Sequence, residues 1–337
     1  MQGKDYIGFS VFVIFMLALP HWISNDYYLG VLVFTAFNCM ACVGLCLLMG
    51  YAGQISLGHG AFVAIGAYAA GILTTHLGWS PWLAMGAGVL AAVFIALVIG
   101  VPSLRLKGHY LAMATLGFAS IVHIVSVAAI DITNGPAGII DIPRIKLFGF
   151  ALDSDIRYYY FVWIIFAVGL FFAINLVKSR VGRGLRAIHG SEDAASAVGV
   201  NITRYKIQIF ILSAVYAAVS GSLYAYYVNY IDPGPFDIMY SVLLVTMVAV
   251  GGLHSLWGAV AGGILLSLLP ELLSMAADTF AGVGIAYKPD YDTIVYGGIL
   301  LFIMLFMPEG LFGGISTLGS LVFKAIARMA GRRYPSG

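Results

Sequence analysis

Apolar residues run in blocks long enough to approach or cross a bilayer at 6–24, 28–49, 60–77, 81–103, 109–130, 158–177, 207–229, 239–252, 256–274 and 293–308. A helix needs about 20 such residues to cross the hydrocarbon core. The pattern predicts an all-α, polytopic membrane protein of about ten transmembrane helices, forming one domain over residues 1–337. The blocks at 239–252 and 293–308 fall short of a full span, and a glycine-rich turn at 50–60 joins two others, so some helices are expected to be broken or short. The first block continues through Trp22 and Ile23 without a small-x-small cleavage site, and it reads as a retained span rather than a signal peptide.

One polar stretch, 178–206 (KSRVGRGLRAIHGSEDAASAVGVNITRYK), interrupts the apolar blocks and carries six basic and two acidic residues. Its interior predicts a small helix on a basic loop. Ser191 is placed to N-cap it, Glu192 and Asp193 fall in the first turn where exposed N–H groups favour negative charge, and Gly199 suits a left-handed stop.

Composition agrees with a membrane protein, with 61% hydrophobic and 9% charged residues, and no basic tract suggests nucleic acid as a partner. The distribution of charge says more than its sum. Thirteen of the seventeen basic residues fall on one set of alternate connections, including the 178–206 stretch and both termini; Arg144, Lys146, Arg157 and Lys288 fall on the other, with most of the aspartates. The positive-inside rule therefore predicts that the N-terminus, the C-terminus and 178–206 are cytoplasmic. Cys39, Cys42 and Cys46 share one helix face in an apolar run and read as small hydrophobes; neither a disulfide nor a metal site is expected.

No GxxxxGK[ST] phosphate loop occurs, so ATP hydrolysis is not expected in this chain, and no cofactor of its own is expected either. HExxH and GxSxG are also missing, and no catalytic residue is assigned. Glu271 is the one acidic residue expected within a helix body, while His123 and His254 read as isolated structural residues. These features point to a transporter. A self-sufficient channel for a small neutral solute and an intramembrane enzyme stand as rival classes.

Several stretches, in order, carry a family resemblance: YAGQISLGHGAF (51–62), TNGPAGI (133–139), GRGLRAI with EDAASAVGVNITRYK (182–206), GGLHSLWGAVAGGILLSLLPEL (251–272) and FMPEGLFG (306–313). They resemble the LivM-type permeases of branched-chain amino acid ABC importers. The resemblance implies an inner-membrane permease half in a bacterial cell, working with a second related permease, two ATP-binding subunits that consume the ATP, and a periplasmic substrate-binding protein. It makes 178–206 the ATPase-coupling loop, with Arg183, Arg186, Glu192, Asp193, Ala194, Ala195 and Gly199 as its coupling residues. The outside segment 131–157 would be where the binding protein lands. The cargo implied is a branched-chain or other amino acid, with urea, amides and aromatic acids as the alternatives in related permeases.

The run GYAGQISLGHG (50–60) lacks the basic residues of the other inside connections, which predicts that part of it lies at membrane depth. Irregular backbone is tolerated there only when buried in protein or lining a water-filled cavity. Gln54, Ser56 and His59 are accordingly placed along or beside the translocation path.

Overall fold

The computed structural model describes residues 2–23, 25–103, 108–147 and 150–280, together with 297, 298 and 301. Nine of the ten apolar blocks are helices among the described residues; the block at 293–308 lies outside them apart from three positions. The membrane helices are α1 (Gln2–Ala18), α2 (Asp26–Cys46), α3 (His59–Thr75), α4 (Pro81–Ser103), α5 (His109–Ala128), then α7 (Asp155–Lys178), α10 (Ile202–Val228), α11 (Ile238–Gly251) and α12 (Leu256–Phe280). Short helices α6 (Ile130–Thr133), α8 (Arg180–Gly190) and α9 (Glu192–Ala197) lie in the connections, and β1 (Lys146–Leu147) pairs antiparallel with β2 (Phe150–Ala151).

Six of these helices are long and apolar enough to cross a membrane, and α1, α3 and α11 are shorter. The basic residues of 178–206 mark one end of the bundle, here the basic end; the connection 129–154 and the aspartates near it mark the acidic end. At the acidic end, the Asn25 side chain caps α2 by accepting from the Tyr27 N–H at 3.0 Å, and Tyr27 Oη donates to Glu271 Oε2 at 2.8 Å. There too Asn229 ends α10 in the left-handed conformation and its amide donates to the Ile142 carbonyl at 2.7 Å, while Ile139 and Ile231 form an antiparallel bridge.

α2 forms the interior of the bundle. It is apolar on every face, and a helix of that kind belongs in a core rather than at a lipid boundary; Val33, Ala36, Cys39, Cys42 and Leu45 are fully buried. The three cysteines are free and buried; Cys46 Sγ lies 3.3 Å from the Leu253 carbonyl and Cys42 Sγ lies 3.7 Å from the Met247 sulfur. They serve as packing groups. α4 and α5 are far less buried and present Leu90, Phe94, Ile121 and Ile124 outward.

Two crossings fix the arrangement, and both need glycine because backbone meets backbone. Where α3 crosses α10, a Cβ on Gly221 would collide with the Val63 carbonyl oxygen and one on Gly66 with the Ala218 carbonyl oxygen. Ser222 Oγ donates to the Gly66 carbonyl at 3.0 Å across the same contact. Where α11 meets α12, Gly251, Gly258 and Gly262 touch through their backbones. Lipid tails are as apolar as leucine, so close van der Waals contact and interhelical hydrogen bonds hold such helices together.

A single methyl at the α3–α10 crossing is therefore expected to be costly. Gly221→Ala should lose about 1–3 kcal/mol through overpacking, read as a lower thermal midpoint of the purified protein in detergent. Gly86 has nothing within reach of a Cβ, so Gly86→Ala should leave the midpoint unchanged or raise it. Equal midpoints for the two variants would contradict the packing account.

Candidate functional site

The basic stretch is more ordered than a loop carrying one small helix. α8 occupies Arg180–Gly190, where the sequence reading expected irregular chain. Its start is capped by Ser179, whose hydroxyl accepts from the Val181 N–H at 3.1 Å and donates to the Leu176 carbonyl at 2.7 Å. α8 is amphipathic: Gly182, Leu185 and Ile188 are buried, while Arg183, Arg186 and His189 are exposed. Arg183 Nη1 and Arg186 Nη2 reach back to the Lys178 and Val177 carbonyls, each at 3.3 Å. Those are the last carbonyls of α7, where a cation meets the negative end of the helix dipole.

α9 follows as the sequence predicts. The Ser191 hydroxyl accepts from the Ala194 N–H at 3.3 Å, and Gly199 has φ +84°. Glu192 does not face outward. Its Oε1 is 2.6 Å from Nζ of Lys206, a nearly buried lysine at the start of α10. No sequence spacing announces this pair, because the partners are fourteen positions apart.

Ala195, one of the expected coupling residues, is turned into the protein. It is 2% exposed, and its carbonyl accepts from the Val200 N–H at 3.0 Å, so it anchors α9 to the protein. The outward face of α9 consists of Asp193, Ala194, Ser196 and Ala197, followed by Val198, which is 77% exposed. A small-residue helix with one projecting valine, held on a rigid base, has the form of a docking surface.

The second feature is the break between α2 and α3. α2 ends in a wide turn over Leu47–Tyr51, and Gly53 follows at φ +66°. The Gln54 N–H donates to the Leu48 carbonyl at 3.1 Å, which closes that helix end. At Gly53 glycine is required twice over: the left-handed conformation disfavours a side chain, and a Cβ would meet His189 Nδ1.

α8 therefore rests on the break. His189 Nε2 in turn lies 3.3 Å from His254 Nε2, with the rings nearly perpendicular. His254 is not isolated, as its sequence context suggested; it belongs to the turn between α11 and α12. Gly50 abuts the Leu253 carbonyl in the same turn. Burial first, and then the neighbouring His254, push the His189 imidazole below its ordinary value.

Gln54, Ser56 and His59 are all enclosed by protein, at 2%, 2% and 1% exposure. The backbone beside them is satisfied from other helices: the Leu57 N–H donates to Thr115 Oγ1 and the Gly60 N–H to Ser241 Oγ, each at 3.0 Å. The Gly58 N–H donates to Ser56 Oγ at 3.4 Å. The Gln54 amide atoms and His59 Nε2, by contrast, find no hydrogen-bond partner among the described residues. The structure thus brings these three residues together at the break, α8 close above them, and places the outward face of α9 apart from both.

The family model described as "Branched-chain amino acid transport system / permease component" matches residues 27–304. The chain is 29% identical to the high-affinity branched-chain amino acid transport system permease protein LivM of Escherichia coli, over 91% of this chain and 75% of that one. It is 26% identical to the permease protein LivH of the same organism, over 80% of this chain and 89% of that one. A probable branched-chain amino acid permease LivM of Methanocaldococcus jannaschii is also 26% identical, over 75% of this chain and 76% of its own length. No solved structure matches the chain significantly. The match over most of the helical bundle, with a rigid small-residue helix at its basic end, shows that the chain belongs to the family of branched-chain amino acid transport permeases.

Proposed function

We propose that this chain is one permease half of an ATP-driven importer, working with a second related permease, two ATP-binding subunits and a substrate-binding protein. Its cargo is a branched-chain or similar small zwitterionic amino acid. ATP is consumed by the partner subunits, in keeping with the lack of a phosphate loop here. Likeness to both LivM and LivH permeases supports pairing of two related permease chains.

The observation that carries the reading is the coupling segment. The Glu192–Lys206 ion pair and buried Ala195 hold α9 as a rigid projection, and Asp193, Ala194, Ala197 and Val198 are left free to enter a groove on an ATPase. On this reading the basic end faces the cytoplasm of a bacterial cell across its inner membrane. Tyr6 Oη donates to Asn175 Oδ1 at 2.8 Å, three residues before Lys178, so α1 also begins at the basic end and the N-terminus is cytoplasmic. The C-terminus takes the same side by its basic residues.

Motion of α9 passes to the membrane through α8, which seats on Gly53 and on His254. Gln54, Ser56 and His59 sit just beyond that contact, and we assign them to the path that opens when the break moves. Urea, amide and aromatic acid cargoes, the alternatives to an amino acid, would meet the same polar groups along such a path.

A photoreactive side chain at Val198 should crosslink an ATPase subunit in the assembled complex. Val198→Asp should abolish uptake and release the ATPase from membranes while the permease still inserts. Ala195→Arg should instead lower the yield of folded permease. If Val198→Asp supports normal uptake, α9 does not dock.

The His189–His254 contact makes a pH prediction with a definite sign. The folded state favours the neutral His189 ring, so the contact is fully present above the ordinary value of 6.5 and weakens as pH falls below it. Hydrogen exchange of α8 amides, corrected for the intrinsic chemical rate, should rise between about pH 7.5 and about pH 5.5. His254→Gln should flatten that rise. A profile that is already flat in the unmodified protein would contradict the contact.

A further inference from the structure

The turn at 229–237 starts at the acidic end of the bundle and feeds a short helix whose first residues lie deeper in it. α11 has fourteen residues. At 1.5 Å per residue it is about 21 Å long, against roughly 30 Å of hydrocarbon. Its last residues are held at the basic end, since the turn after Gly251 carries His254 against His189. Its first residues therefore lie well below the acidic surface.

Contacts with α2 give the depth independently. Tyr240 Oη donates to Asn38 Oδ1 at 3.0 Å, and Asn38 Nδ2 donates to Ser267 Oγ at 2.9 Å. Asn38 is midway along the continuous helix Asp26–Tyr51. Ser241, beside Tyr240, accepts from Gly60 at the start of α3, itself a short helix that begins at a break. Phe236 packs on Tyr68 midway along α3, with ring centroids 6.2 Å apart.

Asp237 lies between these levels. It is the N-cap of α11, accepting from the Tyr240 N–H at 2.9 Å, and it is exposed on the surface of this chain beside Met239, which is 69% exposed. No salt bridge to Asp237 is formed among the described residues. A carboxylate at this depth is costly against lipid, and such residues face a partner or a water-filled passage.

We propose that Asp237 faces the aqueous passage of the importer and provides the counter-charge for the ammonium group of its zwitterionic cargo in the outer half of the membrane. This rests on the transport reading above and narrows its cargo to solutes that carry a positive group. The position also separates the two roles of the side chain. Asparagine caps a helix about as well as aspartate, so Asp237→Asn removes the charge and keeps α11 capped, whereas Asp237→Glu keeps the charge.

The test uses the assembled complex with its ATPase and binding protein in proteoliposomes, with leucine, valine and alanine as probes. Asp237→Asn should lower uptake at least tenfold at saturating binding protein while the folded yield is retained, and Asp237→Glu should recover part of it. In the same complex, Asp237→Cys should react faster with a cationic than with an anionic membrane-impermeant thiol reagent, and saturating leucine should slow the reaction. If the unmodified complex takes up no amino acid with ATP, the transport reading itself fails. If it does, but Asp237→Asn transports at the full rate or Asp237→Cys is unreactive, this inference alone fails.

Discussion

The need to satisfy backbone polar groups inside a bilayer governs this structure. A continuous helix meets that need by itself, and a break does not. Among the described residues the bundle contains two breaks, at 52–58 and at 229–237, and each finds partners for backbone groups outside the regular helix ladder. Thr115 and Ser241 serve the first. The Ile139–Ile231 bridge and the Asp237 cap serve the second. The largely buried helix α2 runs beside both neighbours: its Cys46 meets the Leu253 carbonyl in the turn between α11 and α12, and its Asn38 accepts from Tyr240 in the first turn of α11. The glycine crossings follow from the same constraint. Helices can approach closely enough to lend such support only where no Cβ intervenes, as at Gly66, Gly221 and Gly251.

This arrangement gives a physical route for coupling. α9 is tied to α10 by Glu192 and Lys206, and α8 is tied to α7 by two arginines on its last carbonyls. On the function proposed above, the pair acts as a lever whose inner end, at His189, contacts Gly53 and His254. Both contacts are to turns rather than to helix bodies, and turns yield at lower cost than packed spans.

Much of this was legible in the sequence. The spans, the Ser191 cap, the Gly199 stop and the irregular 50–60 run all follow from local pattern, and local pattern fixes local backbone. The shortness of 239–252 was visible too; its consequence, that Asp237 sits at depth, required knowing which end of α11 was anchored. What could not be read were pairings between distant positions. His254 seemed isolated because its partner lies sixty-five positions away, and the burial of Ala195 could not be read because nothing local reveals which face of a six-residue helix is buried. α8 lies where a basic loop was expected; its Gly182 and Gly184, poor helix formers, admit the Val177 carbonyl and the Tyr205 ring.

The central claim is that this permease moves its cargo only when ATP is hydrolysed at its basic end. It is tested most directly by leucine accumulation in proteoliposomes containing this chain, its partner permease, the ATPase subunits and the binding protein. The account predicts accumulation against a gradient only when ATP is on the side of the basic end and the binding protein on the other. Equilibration of leucine without ATP, or uptake that persists without the ATPase subunits, would contradict it.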